Sequence, residues 1–359
     1  MAKALYGEVS PYSATRLERF AACAFAHFLQ YGMKLTERVE YEFKPMDMGN
    51  VMHEALESFA EEVRKRGMKW TELTEQERNE IADRCLDNIV ADYGNTVLKS
   101  SARNEYMIER TRRILRRTVW ALQKQLEQGE FQPEGFEVTF GGGRIDRVDI
   151  MEDQNKVYVK VIDYKTGNTS FDLVYLYHGL QLQLMIYLDG ALRVEQKKYP
   201  DKEIIPAGVF YYNIKDPMIQ EKIDADVEAV SAGLMKELKM NGLVQADPEL
   251  VYRMDSSLGS IPVAFNKDGS FRKNSSVADR TQFAVLGRYV RTKIEKIRSS
   301  ILEGDAEVSP YELGKKNACT YCPYMTVCGF DRRLSGYEFR RLKNFSDEEL
   351  WKAFDREAE

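Results

Sequence analysis

The sequence predicts an α/β fold built on a mixed sheet, with core order α-β-β-β-α-β. Three observations carry this. Val51, Ala55, Phe59 and Val63 recur at i+4, a helix over about Gly49–Arg66. The period then changes to two over Phe136–Phe140, Arg144–Ile150 and Val157–Tyr164, the last richest in β-branched and aromatic residues. A helix over 177–198 separates these from a fourth strand, Pro206–Asn213. Such a return implies a parallel pair beside an antiparallel hairpin, with helices covering the sheet.

The remaining elements follow in order. A first helix is expected from Ser13 to about Gln30, with Leu17, Phe20, Phe25 and Phe28 as its apolar content and Gly32 as its stop. Helices are also expected across 74–92, 104–128 and 224–241. Residues 261–273, with Asn266-Lys267-Asp268-Gly269 at the centre, read as a peripheral hairpin. A long helix over about 275–303 follows, and Ser346-Asp347-Glu348-Glu349 is a capping box opening the last helix.

With 43% hydrophobic and 30% charged residues in 359, the composition is that of a globular protein with one large core or two intimate ones. No apolar run approaches the roughly 18 residues of a membrane span, and no signal peptide precedes Ser10. The expectation is a cytoplasmic protein. The five cysteines are grouped as for a metal centre rather than a disulfide scaffold, except Cys85, which reads as a buried small hydrophobe. The net charge of −5 does not advertise nucleic-acid binding, which depends on local phosphate contacts rather than total charge. Arg110, Arg112, Arg113, Arg116 and Arg117 form the densest basic run, either a solvated helix face or the rim of a DNA path or docking face.

The chemistry concentrates in Gly143-Arg144-Ile145-Asp146-Arg147-Val148-Asp149 and Ile162-Asp163-Tyr164-Lys165. Acid, any residue, Lys at a strand end puts a carboxylate and an ammonium on one face, and the preceding strand brings a second carboxylate. Two carboxylates can hold Mg²⁺ or Mn²⁺. Asp146 alone also fits an ion-pair cluster with Arg144 and Arg147; Asp149 alternates to the opposite face. Cys319, Cys322 and Cys328 form C-x2-C-x5-C, with Cys23 as a distant fourth. Four thiolates suit zinc or a [4Fe–4S] cluster.

Together these motifs resemble the PD-(D/E)xK nucleases, and within them the RecB-like nucleases that carry an iron–sulfur cluster. The resemblance is greatest to the C-terminal nuclease domains of AddB-type helicase–nuclease subunits. It is carried by Ser10-Pro11-Tyr12-Ser13-Ala14-Thr15-Arg16-Leu17-Glu18-Arg19-Phe20, by Gly143–Asp149, and by Gly179-Leu180 through Gln183 and Tyr187. It covers nearly the whole chain and implies a restriction-endonuclease-like αβββαβ core over 48–215 within a single domain, 1–359. Helical flanks, 1–47 and 216–359, would carry the cluster cysteines and staple the termini together.

It further implies Asp146, Asp163, His53 of a G-x-x-x-H motif, and the Tyr164 carbonyl as metal ligands for Mg²⁺ or Mn²⁺. Lys165 would orient water or stabilise charge on the phosphate. Gln183 and Tyr187 would line the site as a Q-x-x-x-Y motif, while Gln181 faces elsewhere on the helix. Glu137 is a weaker candidate acid, equally readable as a surface residue. Cys23, Cys319, Cys322 and Cys328 would hold [4Fe–4S], because the x5 spacing and distant fourth cysteine match those nucleases.

The implied function is metal-dependent exonuclease action on single-stranded DNA in double-strand-break processing and recombinational repair, beside an AddA-type helicase–nuclease partner and without a membrane. Alternatives are a stand-alone CRISPR-associated RecB-like exonuclease or a catalytically idle iron–sulfur DNA-binding scaffold. There is no G-x-x-x-x-G-K-[ST], since Gly314-Lys315-Lys316 lacks the earlier glycine, so no ATP motor is expected here. Two departures stand out: Ala24 replaces the proline that commonly follows the first cysteine, and Gly141-Gly142-Gly143 replaces a longer insertion, as a tight turn or a deletion.

Overall fold

A computed structural model describes residues 2–6, 13–36, 45–92, 101–141, 143–219 and 226–358. Ser10-Pro11-Tyr12 and Gly142 lie outside the described residues. The helices that precede the sheet are α1 (Ala14–Ala22), α2 (Pro45–Lys65), α3 (Glu75–Asp92) and α4 (Ala102–Glu127). Strands β1 (Gln132–Phe140), β2 (Gly143–Asp153) and β3 (Lys156–Lys165) follow, then α5 (Gln183–Lys198) and β4 (Glu203–Asn213). The chain continues through α6 (Val227–Glu237), β5 (Asn241–Gln245), α7 (Pro248–Met254), β6 (Val277–Ala278), α8 (Arg280–Glu303) and α9 (Asp347–Ala358).

Six strands form one sheet in the order β1-β2-β3-β4-β5-β6. β1–β2 and β2–β3 are antiparallel and β3–β4 is parallel across the α5 crossover, as the α-β-β-β-α-β pattern requires. Strand pleating sends alternate β3 side chains to two apolar layers. Tyr158, Ile162 and Tyr164 pack beneath α2, α3 and α4, with Phe59, Leu86 and Leu122. Val157, Val159 and Val161 pack beneath α1, α5, α8 and α9, with Leu17, Leu188, Leu286 and Phe354. Being covered on both faces makes β3 nearly uninterrupted in its burial. Cys85 is buried in the first layer, as expected.

Several expectations are corrected. The helix over Ser13–Gln30 breaks at Cys23, whose φ of −165° and ψ of 118° are extended; a short turn, Ala24–His27, and a π-helical turn, Phe28–Gly32, follow. Tertiary contact forces the break: Phe25 N donates to Glu307 O, docking this segment on the chain's C-terminal part. The helix over 177–198 starts only at Gln183, because Gly179, at φ +78°, ends a separate turn at Leu173–Tyr177. The helix over 224–241 contracts to α6 and is followed by β5, which the sequence did not disclose. Its residues 224 and 225 lie outside the described ones. The helix over 275–303 begins at Arg280, where Asp279 and Gln282 form a capping box. Residues 261–273 keep a single bridge, Phe265–Phe271, across a turn with Gly269 at φ +83°. β4 starts ahead of Pro206, which a register shift at Val159/Lys160 accommodates. At α9 one half of the expected capping box is present: the Ser346 N–H donates to Glu349 Oε2 at 3.1 Å.

Candidate active site

Register builds the site. The pairs Phe136↔Arg147 and Val138↔Ile145 set Glu137 across from Asp146, and Arg147↔Ile162 sets Asp146 across from Asp163. Cross-strand partners share a face, so three adjacent strands carry a row of three carboxylates. The β2–β3 ladder opens at this point. Tyr164 N donates to Asp146 Oδ2 at 2.7 Å, so the carboxylate takes an amide that a backbone carbonyl would otherwise accept. Glu137 has φ +49°, a left-handed conformation uncommon for a non-glycine residue.

α2 lays His53 over the row. His53 Nδ1 lies 3.3 Å from Asp146 Oδ2 and 3.7 Å from Glu137 Oε1, and Nε2 lies 3.1 Å from Tyr164 O. Among the described residues, His53, Glu137 and Asp146 are the group whose donor atoms all lie within 4.8 Å of one another. Glu137, the weaker candidate in the sequence, therefore stands with the ligand set, its second oxygen paired with Arg144. Asp163 turns toward Lys165.

The donor chemistry fits a hard divalent ion: carboxylates, a carbonyl and one imidazole. Adjacent ligand atoms of an octahedron with ~2.1 Å bonds lie about 3.0 Å apart, close to the 3.3 Å between His53 Nδ1 and Asp146 Oδ2, while the Tyr164 carbonyl meets the other ring nitrogen. Asp163 Oδ2 is buried without a hydrogen-bond partner, although Lys165 Nζ lies 2.6 Å away. The contact is a short, buried ion pair between the carboxylate and the ammonium.

Lys165 Nζ also donates to Gln183 Oε1 at 2.8 Å, and Gln183 Nε2 donates to Tyr187 OH at 2.9 Å. Asp163, Lys165, Gln183 and Tyr187 thus form one continuous network from β3 to α5. Gln181 instead bonds the loop at Asp172 and Ser170. Glu18, a residue of the N-terminal motif with no role legible in the sequence, joins the network: its Oε1 accepts from the amides of Leu182 and Gln183.

Burial and the Asp146 carboxylate push Asp163 up to about 7, against the pull of Lys165. Burial works against a charged His53, but Asp146 and Glu137 outweigh it and raise the imidazole to about 10. Without metal, a proton on His53 thus links the two acids.

Asp149 lies on the other face, buried with Arg147 (2.5 Å from Nε) and Lys160 (2.9 Å from Nζ). The basic run on α4 is largely spent on carboxylates. Arg112 and Arg116 pair with Asp83, and Arg113 and Arg117 with Asp216. These pairings favour the solvated-face reading.

Cys23, Cys319, Cys322 and Cys328 line a single pocket, with Tyr324 and Phe330 in its wall. Asn317 Oδ1 accepts from Cys319 N and Thr320 N, which turns the chain into the C-x2-C loop, and Gly329 at φ +64° turns it out after Cys328. Burial and the neighbouring thiols push the Cys319 thiol up to about 11, so anchoring a cation here would require removal of that proton. Among the described residues no helix is long and apolar enough to cross a membrane.

Comparison with known proteins agrees with this geometry. The chain is 43% identical over 382 aligned positions to the B subunit of the ATP-dependent helicase/deoxyribonuclease of Lachnoclostridium phytofermentans, covering 100% of this chain and 33% of that protein. It is 35% identical to the proteins of the same description from Thermoanaerobacter sp. (99% of this chain, 33% of that protein) and Clostridium acetobutylicum (98% and 32%). The chain therefore spans about a third of the length of these relatives. Residues 11–329 match the family described as the PD-(D/E)XK nuclease superfamily, which takes in every residue of the carboxylate row and all four grouped cysteines. With the mixed sheet, the opened β2–β3 ladder and the acid–Lys strand end in place, the chain belongs to the PD-(D/E)XK nuclease superfamily.

Proposed function

We propose that this chain is a single nuclease domain that hydrolyses DNA phosphodiesters with Mg²⁺ or Mn²⁺, cutting single-stranded DNA as an exonuclease. The observation that carries the reading is the row Glu137–Asp146–Asp163 with His53 above it and Lys165 beside it. The catalytic core spans 48–215, and the flanks 1–47 and 216–359 carry the four grouped cysteines, Cys23, Cys319, Cys322 and Cys328. The name shared by the relatives joins a helicase to a deoxyribonuclease. From it we infer a cytoplasmic role in double-strand-break end processing and recombinational repair, with an AddA-type helicase–nuclease as partner.

Asp146, Asp163, His53 and the Tyr164 carbonyl would hold the ion, with Glu137 in support. When bound, it polarises the scissile phosphate and lowers the pKa of an attacking water. Lys165, braced by Asp163 and Gln183, keeps an N–H direction for that water or for a phosphate oxygen. Gln183 and Tyr187 hold the lysine in place. Water attacks phosphorus directly, and no covalent enzyme intermediate is required.

The test is release of nucleotides from end-labelled single-stranded DNA by anaerobically purified protein and its Asp163→Ala variant. Metal-dependent cleavage that disappears in the variant is the expected result. Equal behaviour of the two proteins, with the cysteine centre intact, would refute the assignment and favour an idle scaffold.

The four cysteines are proposed to hold [4Fe–4S] as a staple between distant parts of the chain. All four line one pocket, and the C-x2-C-x5-C spacing with a distant fourth cysteine supports the cluster over zinc. Closing so long a loop makes folding depend on the centre. Cys322→Ala is expected to purify colourless and less stable; a stable, iron-replete variant would contradict the cluster.

A further inference from the structure

Helix α5 begins without a local cap: Leu182, at the N-cap position, makes no side-chain hydrogen bond. Its first amides would be left to water. Glu18, on α1, supplies the acceptor, taking Leu182 N at 2.7 Å and Gln183 N at 2.9 Å on one oxygen. A carboxylate there also faces the positive end of the helix dipole.

The residue held in this way is Gln183, whose amide receives Lys165 and engages Tyr187. A local Ser or Asn would stabilise the helix equally well, but it would not set the helix against its neighbours. A cap reaching from another helix does. α1 is itself anchored, because Arg19 Nη2 lies 3.9 Å from Cys322 Sγ and the helix ends at Cys23.

We propose that Glu18 is a positioning residue of the nuclease, fixing the first turn of α5 so that Gln183 holds Lys165 against Asp163. The proposal rests on the nuclease reading. It differs from a purely structural cap in what it controls: the placement of one lysine, not only the survival of the fold. Small misplacements of a positioned group lower turnover steeply.

The experiment compares parent, Glu18→Ala, Glu18→Gln and Glu18→Asp at a temperature where circular dichroism shows each to be folded. The first readout is kcat and KM on single-stranded DNA with Mn²⁺. The second is the rate of acetylation of each lysine, followed by mass spectrometry. In Glu18→Ala, kcat is expected to fall about tenfold or more with KM little changed, while Lys165 alone becomes more reactive. Glu18→Gln, which keeps an acceptor oxygen at the same reach, should recover most of the turnover.

Parental kcat in a folded Glu18→Ala protein, or unchanged Lys165 acetylation, overturns the proposal. Should Glu18→Ala fail to fold, Glu18→Asp, one methylene short of the α5 amides, carries the same two readouts. If the parent itself does not cleave DNA, the nuclease reading fails, and the acetylation rates alone still decide the placement of Lys165 by Glu18.

Discussion

Asp163→Asn is expected to abolish cleavage and yet make the metal-free protein more stable. Asp163 is 1% exposed, faces Asp146 across the opened ladder, and is raised to about 7. An unfolded aspartate titrates near 3.9. Below about pH 4 both states are protonated and the residue is neutral in its effect. As pH rises to about 7 the unfolded chain ionises first, so the folded state loses relative stability. Above that window the penalty is complete, on the order of 4 kcal/mol. Asparagine carries no charge to bury, so thermal melts at pH 8 without metal should show the variant several degrees above the parent. The gain should shrink as pH falls toward 4. Mn²⁺ should raise the parent's melting temperature more at pH 8 than at pH 6, because ligands must be free of protons to bind. It should scarcely move the variant, and cleavage should fall by about 10²–10³-fold or more. A variant no more stable than the parent at pH 8 would mean that the acid row is not strained in the absence of an ion.

The legible parts of this site were those encoded within one strand or helix. Asp163 and Lys165 share a face because they are i and i+2 on β3, and Gln183 and Tyr187 share one because they are i and i+4 on α5. Asp146 was readable as the acid of the neighbouring strand. Glu137 was not firmly readable, since its place opposite Asp146 depends on the β1–β2 register, where Phe140 pairs with Gly143. A shift of one residue would send it to the other face. Its left-handed backbone has no sequence mark either.

Cys23 shows the same limit in a helix. Phe20 to Phe28 has good helical composition, and only the contact with the C-terminal segment explains why the backbone breaks at the thiol. Glu18 looked like an ordinary charge on an amphipathic helix, because its partners begin 164 residues later. β5 escaped because Asn241 and Gly242 resemble a helix end; in fact Gly242 lets this strand approach Val209 O, where a Cβ would lie only 1.9 Å away. In each case the deciding interaction joins segments far apart in the chain, which periodicity does not report.

The opposite face of the sheet supplies the second large expected effect. Arg147, Asp149 and Lys160 have side chains 2%, 0% and 7% exposed. Burial alone would raise the Asp149 carboxyl, but Arg147 and Lys160 overcome it and hold the group low. Arg147 also lies over the rings of Trp70 and Phe136, each centroid 5.6 Å away, so aromatic surface replaces part of its lost hydration. Removing the one acid strands two cations in a dry layer. Asp149→Ala should therefore destabilise the fold by about 3–5 kcal/mol, measured by chemical denaturation at neutral pH. Replacing all three together by apolar residues of similar volume should cost far less, because no charge is then left unpaired. If instead the single and triple variants lose equal stability, the cluster contributes through its packing rather than its charges. The distinction bears on the active site, because Arg147 and Asp146 are consecutive on β2. The strand that aims one acid at the catalytic row is pinned from behind by the next residue, and pleating alone keeps the two charge systems on separate faces.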